Sequence, residues 1–249
     1  MRPTVSVCMN TYQHPLYIRQ AIDGVLMQQT TFPFELVIGE DYSQDGTRKI
    51  CEEQQLAHPE KIRLLPAERN IGQSANLARS IAACTGRYIA LCEGDDYWID
   101  PLKLQKQVDF LDNHPDFVMC FHQANIVDHN GRSIEERVAD DQVQRYDGSE
   151  FFHLFVPTPS LVFRNCLDAF PPAFFKVKST DAFIVAMLSG YGKGADLRFI
   201  GSCYRMHEGG LYNRLSRLDK FRQSVHTRKM MRRSSYFNKL QHREISREL

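Results

Sequence analysis

The chain has 249 residues, 43% hydrophobic, 24% charged and 11% aromatic, with a formal net charge of +1. That composition suits one sizeable apolar core and excludes a disordered, collagen-like or coiled-coil chain. No apolar run reaches eighteen residues, so no membrane-spanning helix is expected, and the N-terminus MRPTVSVCMNTYQ lacks the pattern of a secretion signal.

The first apolar run, residues 4–9, is short and β-branched and reads as a buried strand ending at Asn10. Ile18, Ala21, Ile22, Val25 and Leu26 then recur at helical spacing, with Pro15 where a first turn tolerates it. FELVIG (34–39) is a second strand, 48–57 a helix, KIRLL (61–65) a third strand, and ERNIGQSAN opens a helix that runs to Ala83 before the stop at Gly86. RYIALCE (87–93) is a fourth strand. Strand and helix alternating at this rhythm predict an α/β fold with a mostly parallel sheet covered on both faces. In such sheets ligands gather beyond the carboxyl ends of the strands. The polar clusters NTYQ, EDYSQDG and EGDD all fall there.

The second half carries a hairpin signal at Asn130-Gly131, a helix-like TDAFIVAMLSG and a strand-like LRFIGSCYRMH. Seven cysteines, odd in number and without a CxxC pair, read as buried thiols in a reducing compartment. Residues 211–249 hold eleven Lys/Arg against three Asp/Glu, whereas residues 1–210 hold 20 basic and 27 acidic residues. The basic tail reads as one or two helices: a membrane-surface contact beside a lipid-linked acceptor, a homo-oligomer contact or a solvated face. No nucleic-acid motif accompanies it.

Glu93, Asp95 and Asp96 follow an otherwise apolar strand. Carboxylates this close repel unless a cation sits among them, and a hard divalent ion, Mn²⁺ or Mg²⁺, would supply that charge while gripping phosphate. Helix capping is the plainer use of such residues, but Asp100 before Pro101 already serves it.

SVCMNTY, LVIGEDYSQDGT, RNIGQSAN and GRYIALCEGDDYW, in this order, resemble the nucleotide-binding half of family 2 glycosyltransferases of the GT-A fold; STDAFIVAMLSGYG and CYRMHEGG extend the likeness to about residue 212. The resemblance implies a GT-A domain over residues 1–211, with 1–100 the nucleotide-binding half, 101–211 the acceptor half and 212–249 a basic helical extension. It implies an inverting transferase that moves a sugar from a nucleotide-diphosphate donor, by default a UDP-sugar, to a glycan or lipid-linked acceptor in cell-surface polysaccharide synthesis. The location implied is cytoplasmic, with a peripheral place on the inner face of the membrane if the basic tail is a membrane contact. Thr11, Tyr12, Glu40, Arg69, Asn70, Asn76, Glu93, Asp95 and Arg205 are then nucleotide-binding candidates. Asp95, Asp96 and His207 are metal ligands, and Asp181 is the general base. Glu40 and Glu93 stand where the family usually carries Asp, and Asp41 is expected to support the loop. Tyr97 and Trp98 are candidates for stacking on the acceptor or for core cover. The rivals are a nucleotidyltransferase, which lacks its basic Gly-rich segment here, and a non-catalytic binding module of the same fold.

Overall fold

Seven successive residues of β1 (Val5–Thr11) are buried, because each face of that strand meets its own core. Val5, Val7 and Met9 enter one cluster and Cys8 the other. The chain, seen here as a computed structural model describing residues 2–140, 142–210 and 215–247, continues through α1 (Ile18–Leu26), β2 (Phe34–Glu40), α2 (Thr47–Ala57), β3 (Ile62–Pro66), α3 (Gln73–Ala83) and β4 (Tyr88–Leu91). β2 splits in the same way, Leu36 and Ile38 to one side and Val37 to the other. Each such apolar side chain contributes about 1.5–3 kcal/mol on burial. This two-sided burial is why the strands read as continuous apolar runs rather than alternating ones.

The second half comprises β5 (Tyr97–Trp98), α4 (Lys103–Asn113), β6 (Phe117–Val127), the short β7 (Ser133–Glu135) and β8 (Gln144–Tyr146), β9 (Val162–Arg164), α5 (Thr180–Leu188), β10 (Lys193–Arg205), α6 (Arg217–Arg233) and α7 (Lys239–Arg247). The sheet order is β3-β2-β1-β4-β9-β6-β10-β5, with β7 on β6 and β8 on β10. The pairs among β1 to β4 are parallel, as are β6 and β10, while β9 and β5 run against their neighbours. The mostly parallel sheet flanked by helices is therefore the expected one.

Asn130-Gly131 does lie in a hairpin, but the loop is one residue longer than its signature suggests. The Asp128 amide donates to the Arg132 carbonyl and Gly131 takes a φ of 80°, a three-residue loop with glycine in the left-handed position. α6 and α7 are helical as expected. Met231, Phe237 and Ile245 join the cluster that also holds Phe183 and Phe174, so the extension shares the core of the second half. Its expected boundary at 211/212 lies outside the described residues. All seven cysteines are free, and six are buried.

Lys103, at the start of α4, is fully buried, its amine 4.0 Å from the Trp98 ring centroid and 2.7 Å from Gln107 Oε1. Burial lowers its pKa to about 7. The unfolded chain keeps that proton up to about pH 10.4, so between pH 7 and 10 stability rises with pH, by at most about 1.4 kcal/mol per unit. Lys103→Met is expected to flatten that rise, as followed by urea unfolding at several pH values.

Candidate active site

Three strands end on one rim. β1 delivers Thr11, β2 delivers Glu40 and Asp41, and β4 runs out into Glu93-Gly94-Asp95-Asp96. Gly94 is required there. Its amide donates to the Asn10 carbonyl at 2.8 Å, and a Cβ at Gly94 would stand 2.7 Å from Thr11 Oγ1. Only glycine lets the acidic loop cross the end of β1 so closely.

The loop aims its carboxylates differently. Asp95 Oδ2 lies 3.0 Å from His207 Nε2 and 3.7 Å from His14 Nε2. Ligand atoms of His14, Asp95 and His207 all fall within 4.8 Å of one another. Burial pushes the Asp95 carboxyl up, but His14 and His207 outweigh it and hold it below its usual range. Burial lowers the His14 pKa against the pull of Asp95, which favours the neutral, ligating form. Thr11 Oγ1 lies 3.3 Å from His14 Nδ1, and the His14 amide donates to Thr47 Oγ1. The Gly209 amide donates to His207 Nδ1 at 3.1 Å, and His207 Nε2 is the ring nitrogen directed at Asp95. Two imidazoles and a carboxylate form a donor set for a divalent ion.

Asp96, expected as a direct metal ligand, points elsewhere. It is buried, and its Oδ1 accepts from the Arg205 amide at 2.8 Å, fastening the end of β10 to the acidic loop. Burial and then the neighbouring Asp95 charge raise its pKa well above the ordinary value. Glu93 is pushed up to about 8, first by burial and then by the charges of Asp95 and Asp181. Asp181 sits in the first turn of α5, its pKa raised by burial although the Ala182 and Asp181 amides act against it. No hydroxyl or cation among the described residues pairs with its carboxylate. Burial raises the Tyr204 pKa, and the charges of Asp96, Asp95, Asp181 and Glu93 act in the same direction.

Several expected nucleotide contacts prove to be internal braces. Glu40 is fully buried, and its two oxygens accept from the Ser43 amide and from Arg48 Nε, each at 2.6 Å. Asp41 instead holds the loop before α3, accepting from the Ile71 and Gly72 amides, as expected of it. Asn76 is buried, donates to the Gly39 carbonyl and accepts from Arg79. Asn70 is exposed and donates to the Asp41 carbonyl, while Arg69 and Tyr12 are exposed at the rim. Trp98 is core, its Nε1 donating to the Pro159 carbonyl, so it offers no stacking face; Tyr97 lies half-buried under Arg205.

Arg205, expected on the diphosphate, is 3% exposed. Its guanidinium donates to the carbonyls of Asp95, Asp128 and His129 and to Gln20 Oε1, and lies between the rings of Tyr17 and Tyr97. It is a bolt between the acidic loop, β6 and α1, with no donor turned to the cleft in these contacts. Arg205→Met removes these four hydrogen bonds and both ring contacts of a buried side chain, and we expect a loss of about 2–4 kcal/mol in denaturant unfolding.

His14 is the site residue absent from the sequence expectations. Its signal was its place in NTYQH, directly after the first strand, but a lone histidine without metal-like spacing does not stand out. Tyr17, whose ring lies 4.7 Å from that of His207, and Gln20 were missed for the same reason.

Comparison with known proteins bears on this rim. Residues 6–167 match the family model for glycosyl transferase family 2. An uncharacterised protein of Mycobacterium tuberculosis is 42% identical over 132 residues, 53% of this chain and 38% of that protein, so the match spans well under half of that relative. S. aureus TarS, solved with UDP, superposes with a TM-score of 0.69 at 17% identity over 98% of this chain and 70% of that one. The mannosyltransferase PcManGT from Pyrobaculum calidifontis, solved with GDP-Man and Mn²⁺, gives 0.68 at 16% identity over 100% and 69%. At these identities the likeness establishes the GT-A fold.

Proposed function

The chain belongs to glycosyl transferase family 2, and from that premise we propose that it is an inverting glycosyltransferase. It would move a sugar from a nucleotide-diphosphate donor, a UDP-sugar by preference, to a hydroxyl of a glycan or lipid-linked acceptor. The observation carrying this is two kinds of carboxylate: Asp95 set between two imidazoles, and Asp181, with no cation paired to it among the described residues, whose charge acts together with that of Asp95 on Glu93. A divalent ion held by His14, Asp95 and His207 would neutralise the departing diphosphate. TarS with UDP and PcManGT with GDP-Man and Mn²⁺ support a nucleotide diphosphate and such an ion.

Each residue has a defined task. Asp41 holds the 70–72 loop, and with it the start of α3, against the rim. Thr11, Tyr12, Arg69 and Asn70 border the space for the nucleoside, with Glu40 and Asn76 bracing them from behind. Glu93, whose pKa burial and then the Asp95 and Asp181 charges push up to about 8, would hydrogen-bond a ribose hydroxyl. Asp181, its basicity raised by burial, takes the proton of the acceptor hydroxyl as that oxygen attacks the anomeric carbon from the face opposite the diphosphate. One displacement of this kind inverts the configuration and needs no covalent intermediate.

The test is a thermal-shift panel of UDP, GDP, dTDP and CDP, each with and without Mn²⁺. Stabilisation by UDP that requires Mn²⁺ is the expected result. A panel in which no nucleotide shifts the transition defeats the proposal, and a shift for GDP alone would change the base.

A further inference from the structure

We propose that α6 and α7, with the two short turns that flank them, form a docking surface for an anionic lipid bilayer. The proposal is independent of the reaction at the rim.

The argument starts from which side of α6 is covered. Thr227 and Met231 turn inward to the core, whereas Leu218, Phe221, Arg222, Val225, Lys229 and Arg232 recur at helical spacing on the opposite side. Met230 and Met231 pack toward the core rather than on this face. The apolar part of the outer face is Leu218 and Phe221, 55% and 66% exposed. Leu240 on α7 is 69% exposed, in the same turn as Lys239 and Arg243.

Two loops add to this face. His226 Nε2 lies 2.9 Å from the Lys176 carbonyl, so Phe175, 47% exposed, borders α6. Arg228 donates to the Phe152 carbonyl, and three residues on stands Phe155, 76% exposed. Phe155, Phe175 and Phe221 are the only exposed phenylalanines among the described residues: Phe221 lies on α6, and Phe175 and Phe155 lie one and three residues from backbone carbonyls that α6 side chains bond. A helix that served only to keep the chain in solution would gain nothing from them.

Charge selects the occupant. Residues 211–249 carry a formal net charge of +8 in a chain of +1, and the only described acids on these helices, Asp219 and Glu244, are each paired within their own helix. Aromatic and leucine side chains beside long basic ones fit the interface of a bilayer, rings at the acyl boundary and cations at the phosphates.

The experiment is cosedimentation of the full chain with vesicles of phosphatidylcholine, with and without phosphatidylglycerol. We expect binding to the anionic vesicles at least about tenfold tighter than to the neutral ones at about 0.1 M salt, and largely lost at high salt. The double variant Phe175→Ser/Phe221→Ser should weaken binding about tenfold. The triple variant Arg222→Gln/Lys229→Gln/Arg232→Gln should remove the preference for anionic vesicles, and both variants should keep the wild-type melting temperature. Equal sedimentation with both vesicle types, or an unaltered double variant, overturns the proposal. So does a dimer in light scattering that the phenylalanine substitutions dissociate, because the face would then belong to a second copy.

Discussion

Asp181→Asn is expected to lower transfer by about 10²–10⁴-fold while leaving the Mn²⁺-dependent thermal shift with UDP intact. The substitution keeps the size of the side chain and removes only its capacity to take a proton. Asp181 lies in the first turn of α5, where a carboxylate also stabilises the helix, so the two readouts separate its tasks. A residue that served only the helix would move the melting temperature and spare the rate. The wild-type pH profile follows from the same burial. Because the Asp181 pKa is raised, its proton-accepting form is lost as pH falls through a value above the ordinary carboxylate range. The acid limb of the rate should therefore stand higher in pH than an exposed aspartate would give. Release of nucleoside diphosphate measures both quantities, and transfer by Asp181→Asn at the wild-type rate would reduce Asp181 to a helix-stabilising residue.

Asp95→Asn is expected to abolish the Mn²⁺-dependent stabilisation altogether. With ligand at about 100 times its dissociation constant, binding stabilises the wild type by about 2.7 kcal/mol. For a chain of this size that is a rise of roughly 5–10 °C. Asparagine retains the shape and one oxygen but gives up the charge that holds a cation between His14 and His207. His14→Ala and His207→Ala should each reduce the shift. Asp96→Asn should preserve most of it, because an amide oxygen still accepts from the Arg205 amide. If Asp96→Asn silenced the response and Asp95→Asn did not, the assignment of the two acids would be reversed.

The two acids show how far the primary structure reaches. That acids follow the fourth strand at the carboxyl edge of a parallel sheet is written in local pattern: an apolar run that ends, a glycine, then charges. Which oxygen faces the cleft is not. Asp96 turns inward because the end of β10, more than a hundred residues along the chain, brings the Arg205 amide to its Oδ1. Arg205 donates to carbonyls of two loops far from it in sequence, partners that no local spacing announces. Glu40 meets Arg48, eight positions on, across the turn before α2, and that contact depends on how the turn closes.

The sequence by itself determined the alternation of strands and helices in the first hundred residues, the mostly parallel sheet, the edge on which polar residues collect and the basic character of the last forty. Those follow from apolar periodicity and turn chemistry, which act over a few residues. The tertiary structure alone decided that His14 joins Asp95 and His207, that Arg205, Asn76 and Glu40 are braces, and that the segments holding Phe152 and Lys176 come to α6. A buried polar group takes whichever partner the packed chain brings within about 3 Å, and strand order sets that partner whatever the local spacing.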